Sequence, residues 1–272
     1  MEENKKEIEK LIAEEKKGVD TIVKEEVKER KMQLIIAIAI LLAGALIAGA
    51  VIFANTKKDT QNNGITVTTT TLAPIGPTDR VLGNKNAKVA IVLYEDFQCV
   101  FCGASSGLQP DTAQAIQYLK QKVDPTWTPF MPVIMNYVNN GSVEFVYRDY
   151  PFLGPESVTS AEAARCAGDQ NKFWEYKDYL FAHQGVENSG TFSNPNLETF
   201  AKNLNLDTAS FNKCLESGKY AQAVADSKTE GDSAGVNGTP KGFVLKNNKL
   251  VDTIDGSESG SVVQKKIEAA LQ

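Results

Sequence analysis

From Leu34 to Ala54 the chain reads LIIAIAILLAGALIAGAVIFA, 21 residues without a charge. At about 1.5 Å rise per residue this run spans the roughly 30 Å hydrocarbon core, so the pattern predicts a transmembrane helix. Before it, Ile8, Leu11, Ile12, Val19, Ile22, Val23 and Val27 recur near helical spacing among Glu and Lys, which fits a solvated amphipathic helix. After it, KKDTQNNGITVTTTTLAPIGPTD has no sustained apolar period and reads as a tether. Lys88 to Tyr94 (KVAIVLY) is a near-continuous apolar run of the kind buried on both faces of a sheet, and Ser142 to Arg148 (SVEFVYR) is a second strand. A helix is expected to start near Cys99 and to end or kink at Gly107 and Pro110, and another to run from Asp111 to Lys122. Glu156 to about Ser233 is helical in period, as in Phe173, Tyr176 and Leu180. Gly242 to Leu245 and Lys249 to Ile254 flank the polar turn Lys246-Asn247-Asn248, and Ser259 to Leu271 closes as a helix. This order predicts an α/β domain with a mixed central sheet.

The resulting layout is a charged arm at 1–33, a span at 34–54, a linker at 55–79 and one domain at 80–272 with a helical insertion at about 156–233. The chain has 272 residues, 42 % of them hydrophobic, which is ample for a folded core. Its net charge of -5 leaves no basic footprint for nucleic acid. Lys16, Lys17, Lys24, Lys28, Arg30 and Lys31 precede the span, against Lys57 and Lys58 after it, so the N-terminus is expected in the cytoplasm and the domain outside. A cleaved signal peptide, with Ala48-Gly49-Ala50 as the cut site, is the alternative; the length of the apolar block and the 33 residues before it favour an uncleaved anchor in the cell membrane.

The four cysteines and the single histidine, His183, exclude both a disulfide-stapled miniprotein and a His-rich metal cluster. Cys99 and Cys102 stand in Cys-x-x-Cys spacing directly after the first core strand. At a helix N-terminus the first thiolate is stabilised by backbone N–H groups, and the second cysteine, one turn along, can attack a mixed disulfide formed on the first. Such a pair needs no cofactor and no metal. Two other chemistries could use these residues. Half of a zinc site would require Cys166 and Cys214 as partners, yet these lie 48 positions apart. A hydrolase elbow would use Gly103-Ala104-Ser105-Ser106-Gly107 with His183 as base, but Ser105 falls inside the helix rather than in the turn after the strand.

The blocks YEDFQCVFCG, VEFVYRDYPF, AEAARCAGDQNKFWEYKDYLFAHQ, FNKCLESGKY and AGVNGTPKGFVL, in this order, resemble the DsbA-like branch of the thioredoxin superfamily in its membrane-tethered form. The resemblance implies a thioredoxin fold with an inserted helical subdomain, preceded by a single transmembrane helix. It also implies that Thr239-Pro240 is a cis-proline loop facing the redox pair, whose backbone pairs with an extended substrate strand. Relatives often have Pro after the first cysteine, where this chain has Val100, and the best-known oxidase has Pro-His where this chain has Val100-Phe101. Relatives also place a buried acid six residues before the first cysteine, where this chain has Leu93; Glu95 and Asp96 are the candidates to replace it in proton transfer. The segment 107–132 is longer than the usual connection. Cys166 and Cys214 are expected either to form a structural disulfide, which outside the membrane persists, or to stay as buried thiols.

The function so implied is an extracytoplasmic thiol–disulfide oxidoreductase that introduces disulfides into exported proteins through Cys99 and Cys102, recycled by a membrane quinone-linked thiol oxidase. A reductase or isomerase using the same site, or a tethered zinc-binding domain, is the alternative.

Overall fold

The computed structural model describes residues 71–110 and 113–272. The arm at 1–33, the span at 34–54 and residues 55–70 of the predicted linker lie outside the described residues; among those described, no helix is long and apolar enough to cross a membrane. The strands are β1 (Arg80–Gly83), β2 (Val89–Glu95), β3 (Val143–Asp149), β4 (Lys241–Lys246) and β5 (Lys249–Asp255), in the spatial order β1-β3-β2-β4-β5. β2 pairs in parallel with β3 and antiparallel with β4, while β1 and β5 form antiparallel edges.

All seven residues of β2 are buried. Its pleat sends Val89, Ile91 and Leu93 into a larger core and Ala90, Val92 and Tyr94 into a smaller one, which is why the sequence shows no polar alternation. The parallel pairing needs a crossover. Here it runs through α1 (Val100–Ser106), α2 (Gln114–Tyr118), a wider π-helical turn at Leu119–Val123, and α3 (Met131–Asn139). Of the predicted helix over 111–122, residues 111 and 112 lie outside the described residues, and the part from Gln114 on is split between two geometries. α3 escapes prediction because Pro132 looks like a breaker; it occupies the first turn, where no intrahelical N–H is required, and Met131, Ile134 and Val138 then face the core.

Between β3 and β4 lie α4 (Pro155–Gly168), α5 (Phe173–Ala182), α6 (Asn194–Asn203), α7 (Thr208–Glu216) and α8 (Ala221–Ser233), the helical insertion foreseen from period. Phe173, Tyr176 and Leu180 of α5 are buried in the larger core together with β2. The β4–β5 hairpin turns on Asn247 and Asn248 at φ of 51° and 62°, the positive values that a two-residue turn of this hand needs and that asparagine tolerates. α9 (Gly260–Leu271) then packs Val263, Ile267 and Ala270 inward. Residues 72–79, read from sequence as linker, belong to the folded body. Leu72 and Ile75 pack on the smaller core, and the buried Arg148 guanidinium bonds the carbonyls of Ala73 and Pro74 and the carboxylate of Asp79.

Candidate active site

β2 ends at Glu95, and the next three residues turn the chain into α1. Asp96 makes that turn: its carboxylate accepts the N–H groups of Gln98 (2.8 Å), Phe152 (2.9 Å) and Leu153 (3.1 Å), while its carbonyl accepts that of Cys99 (3.0 Å). Cys99 is the N-cap of α1, with φ -68° and ψ 113°, and Cys102 lies one turn along, fully buried. α1 is short because Gly107 closes it in the left-handed region at φ 76°. The antiparallel register that sets Tyr94 opposite Lys241 brings the residues before β4 to the mouth of β2. There the Thr239-Pro240 peptide bond is cis, and the Cys99 thiol donates to the Thr239 carbonyl at 3.3 Å.

The two thiols are electrostatically unlike. A hydrogen bond from Cys102, helped by Thr239 and by the N–H groups of Cys102 and Phe101, lowers the Cys99 pKa to about 7 against the opposing effect of burial. Burial first, then the proximity of Cys99 and Glu95, pushes Cys102 well above its ordinary value. Behind them Glu95 is fully buried, and neither carboxylate oxygen has a hydrogen-bond partner. Desolvation raises its pKa to about 7, offset in part by Lys177, whose ammonium lies 4.0 Å away and is equally buried. The two acids singled out in the sequence therefore part company: Asp96 is occupied by backbone donors, whereas Glu95 is buried beside the cysteines without a hydrogen bond, with Lys177 as its counter-charge.

The remaining sequence candidates lie elsewhere. Cys166 of α4 and Cys214 of α7 are joined to one another in a disulfide, so neither is available to complete a metal site with Cys99 and Cys102. Ser105 is buried inside α1 and shares a hydrogen bond with Ser257, away from any elbow geometry. His183 caps the end of α5 and stacks on Tyr179 at 3.9 Å between ring centres. Phe101, between the cysteines, meets Tyr118 edge-on, so the long 107–132 segment flanks α1.

The family model described as Thioredoxin matches residues 128–265, just over half of the chain. The chain belongs to the thioredoxin family. The matched stretch begins after Cys99 and Cys102 and carries the thioredoxin-family β3, the helical insertion and the Thr239-Pro240 loop. Among curated relatives, the chain is similar to Na(+)/H(+) antiporter NhaA 1 of Salinispora arenicola, 31 % identical over 176 residues, 64 % of this chain and 22 % of that protein. The chain thus spans about a fifth of the length of that relative. It is also similar to the probable disulfide bond formation protein D of Bacillus cereus, 23 % identical over 218 residues, 79 % of this chain and 87 % of the relative. Among solved structures, the thiol-disulfide exchange protein alpha-DsbA2 of Wolbachia pipientis shares the thioredoxin-family fold with a TM-score of 0.53 at 23 % identity, over 71 % of this chain and 87 % of that one.

Sequence reasoning missed two residues of this thioredoxin-family site. Lys177 is the counter-charge to Glu95; its only sequence signal is a lysine one position from Tyr176 on the buried stripe of α5. Gln184, just past α5, donates its side-chain amide to the carbonyls of Phe97 (2.6 Å) and Cys99 (3.0 Å), and nothing local in the sequence marks it.

Proposed function

We propose that the protein is a membrane-anchored, extracytoplasmic thiol–disulfide oxidoreductase that oxidises exported protein thiols. The observation that carries the reading is the asymmetry of the pair: Cys99 is favoured as thiolate beneath the cis-Pro240 loop, and Cys102 is buried and disfavoured as thiolate. In the oxidised enzyme a substrate thiolate attacks the Cys99 sulfur, the Cys99–Cys102 bond breaks, and Cys102 leaves and takes up a proton. A second substrate thiolate attacks the substrate sulfur of the mixed disulfide and expels Cys99, so the substrate loses two electrons and the enzyme gains them. A low thiol pKa makes Cys99 a good leaving group in that second step. Glu95 stands next to Cys102 and is suited to supply and recover its proton. The substrate lies extended along the backbone of Thr239, with its cysteine over Cys99.

The likeness to a protein named for disulfide bond formation, and to one named for thiol–disulfide exchange, supports this chemistry. The anchor and outward orientation rest on the apolar run at 34–54 and its basic flank. Re-oxidation of the reduced enzyme falls to a membrane quinone-linked thiol oxidase. The test is the reduction potential of the Cys99–Cys102 pair, measured by equilibration with glutathione and mass-spectrometric readout. A value well above about -180 mV supports an oxidase, and one near about -270 mV makes the enzyme a reductase. Offered a cysteine peptide activated as its thiopyridyl disulfide, Cys102→Ser should accumulate the mixed disulfide at Cys99 with thiopyridone leaving, and Cys99→Ser should form none; a Cys99 variant that still exchanges overturns the assignment.

A further inference from the structure

The helical insertion reaches the redox turn through the segment that follows α5. Gln184 donates one amide group to two carbonyls, those of Phe97 and Cys99. The Cys99 carbonyl also accepts the Gly103 N–H at 3.0 Å, so both of its acceptor positions are filled. Four residues on, the Asn188 N–H donates to Gln98 Oε1 at 2.6 Å, and Gln98 Nε2 donates to Ser157 Oγ at 2.9 Å. Each residue of the turn from Phe97 to Cys99 is therefore tied to the insertion by its carbonyl or its side chain.

The amide has a second neighbour. A Cβ built on Gly103 would run into the side-chain oxygen of Gln184. Gly103 sits inside α1, where glycine is less favourable than alanine, and a Cβ there would displace the end of the Gln184 side chain from its present place.

We propose that Gln184 is a positioning residue for the redox centre: its amide fixes the Phe97 and Cys99 carbonyls so that the Cys99 sulfur is held beneath Thr239, and Gly103, without a Cβ, leaves it room. The inference rests on the exchange reading of Cys99. Two carbonyl dipoles lie within the turn that carries the sulfur, and amide donors on their oxygens draw their negative ends away from it. Without Gln184 the Phe97 carbonyl loses its donor and the Cys99 carbonyl keeps only the Gly103 N–H, so the turn carries more uncompensated negative charge and the thiolate is disfavoured. The titratable groups that face Cys99 are Cys102 on α1 and Glu95 at the end of β2, the latter backed by Lys177 and Asp178 of α5. Gln184 bonds to backbone carbonyls rather than to any of these, so replacing it reads the turn itself.

The experiment follows iodoacetamide alkylation of Cys99 against pH in the reduced, full-length protein, with mass spectrometry resolving each cysteine. The wild type should reach its half-maximal rate at about pH 7. Gln184→Ala should move that midpoint up by about half a unit, which is about a threefold loss of rate below the midpoint. Gly103→Ala keeps Gln184 but drives its amide off the carbonyls, so it should reproduce the shift, and the double variant should shift no further than either single one. Gln184→Met preserves length and apolar packing without the N–H donors; it serves if the alanine variant folds poorly and should show the same shift. An unchanged midpoint in the folded Gln184 variants, or additive shifts in the double variant, overturns the proposal. Wild-type protein that alkylates normally at Cys99 when reduced, yet when oxidised through Cys99 and Cys102 does not exchange with a cysteine peptide, overturns the proposed function instead, and leaves the midpoints to decide on Gln184.

Discussion

Leu93 and Glu95 are two residues apart on one strand, so they point to the same face of the sheet, and moving an acid from the first position to the second keeps it under the cysteines. The move places Glu95 at the strand end, where it is buried without a hydrogen bond and only Lys177 offsets its desolvation. A carboxyl that ionises at an ordinary 4.5 in the unfolded chain and at about 7 in the fold has a defined signature. Its contribution to stability is complete below about pH 4.5 and declines as the pH rises to about 7, because the unfolded chain releases a proton that the folded one still holds; the loss is on the order of 3 kcal/mol. Glu95→Gln should flatten that slope. Urea unfolding of the reduced protein at pH 4.5 and pH 8 measures it, and a wild-type difference between the two that survives unaltered in the variant would show that Glu95 is not the group responsible. The same substitution should slow the exchange step in which Cys102 leaves, by about 10- to 100-fold, if the proton passes through the carboxyl. Stopped-flow exchange with a cysteine peptide gives that rate, and an unchanged value would confine Glu95 to a structural role.

At the scale of elements, what could be read in advance is what local pattern encodes. β2 and β3 announce themselves as apolar runs, α5 by its period, and the hairpin by its paired asparagines. β1 stays hidden because four residues ending in Gly83, none of them buried, carry too little pattern; its partner β3 creates it. The Cys99–Cys102 pair is legible by spacing, whereas Gln184 and Lys177 reach the site across 80-odd residues of chain, a distance that only the tertiary fold closes. The disulfide between α4 and α7 lies between these cases, since both cysteines are visible and their pairing is not. It closes a 48-residue separation, and a chain-entropy treatment gives about 4 kcal/mol for a loop of that length. Replacing both Cys166 and Cys214 by Ala should lower stability by about 2 to 4 kcal/mol in urea titration while leaving the pH profile of Cys99 alkylation in place. A shifted profile would mean that the bridge governs the redox turn as well as the insertion.

For the whole molecule, chemistry and turnover separate along the chain. Every group proposed to act on sulfur, from Glu95 to Pro240, belongs to the folded body that begins by Leu72. The apolar run at 34–54 contributes no reactive side chain. On the proposed reading its role is to hold the enzyme beside the membrane partner that re-oxidises it, because each substrate disulfide leaves Cys99 and Cys102 reduced and unable to accept electrons again. A protein that starts at residue 55 and is exported by an unrelated cleavable signal should therefore exchange with a cysteine peptide at the wild-type rate in a single turnover. In cells the full-length protein should sediment with membranes and be found mostly oxidised, and the truncated one should be soluble and accumulate as the dithiol. Thiol trapping at the moment of lysis reads the two states. Equal oxidation of both forms would show that recycling needs no anchor, and a single-turnover rate that falls on truncation would place part of the chemistry outside the folded body.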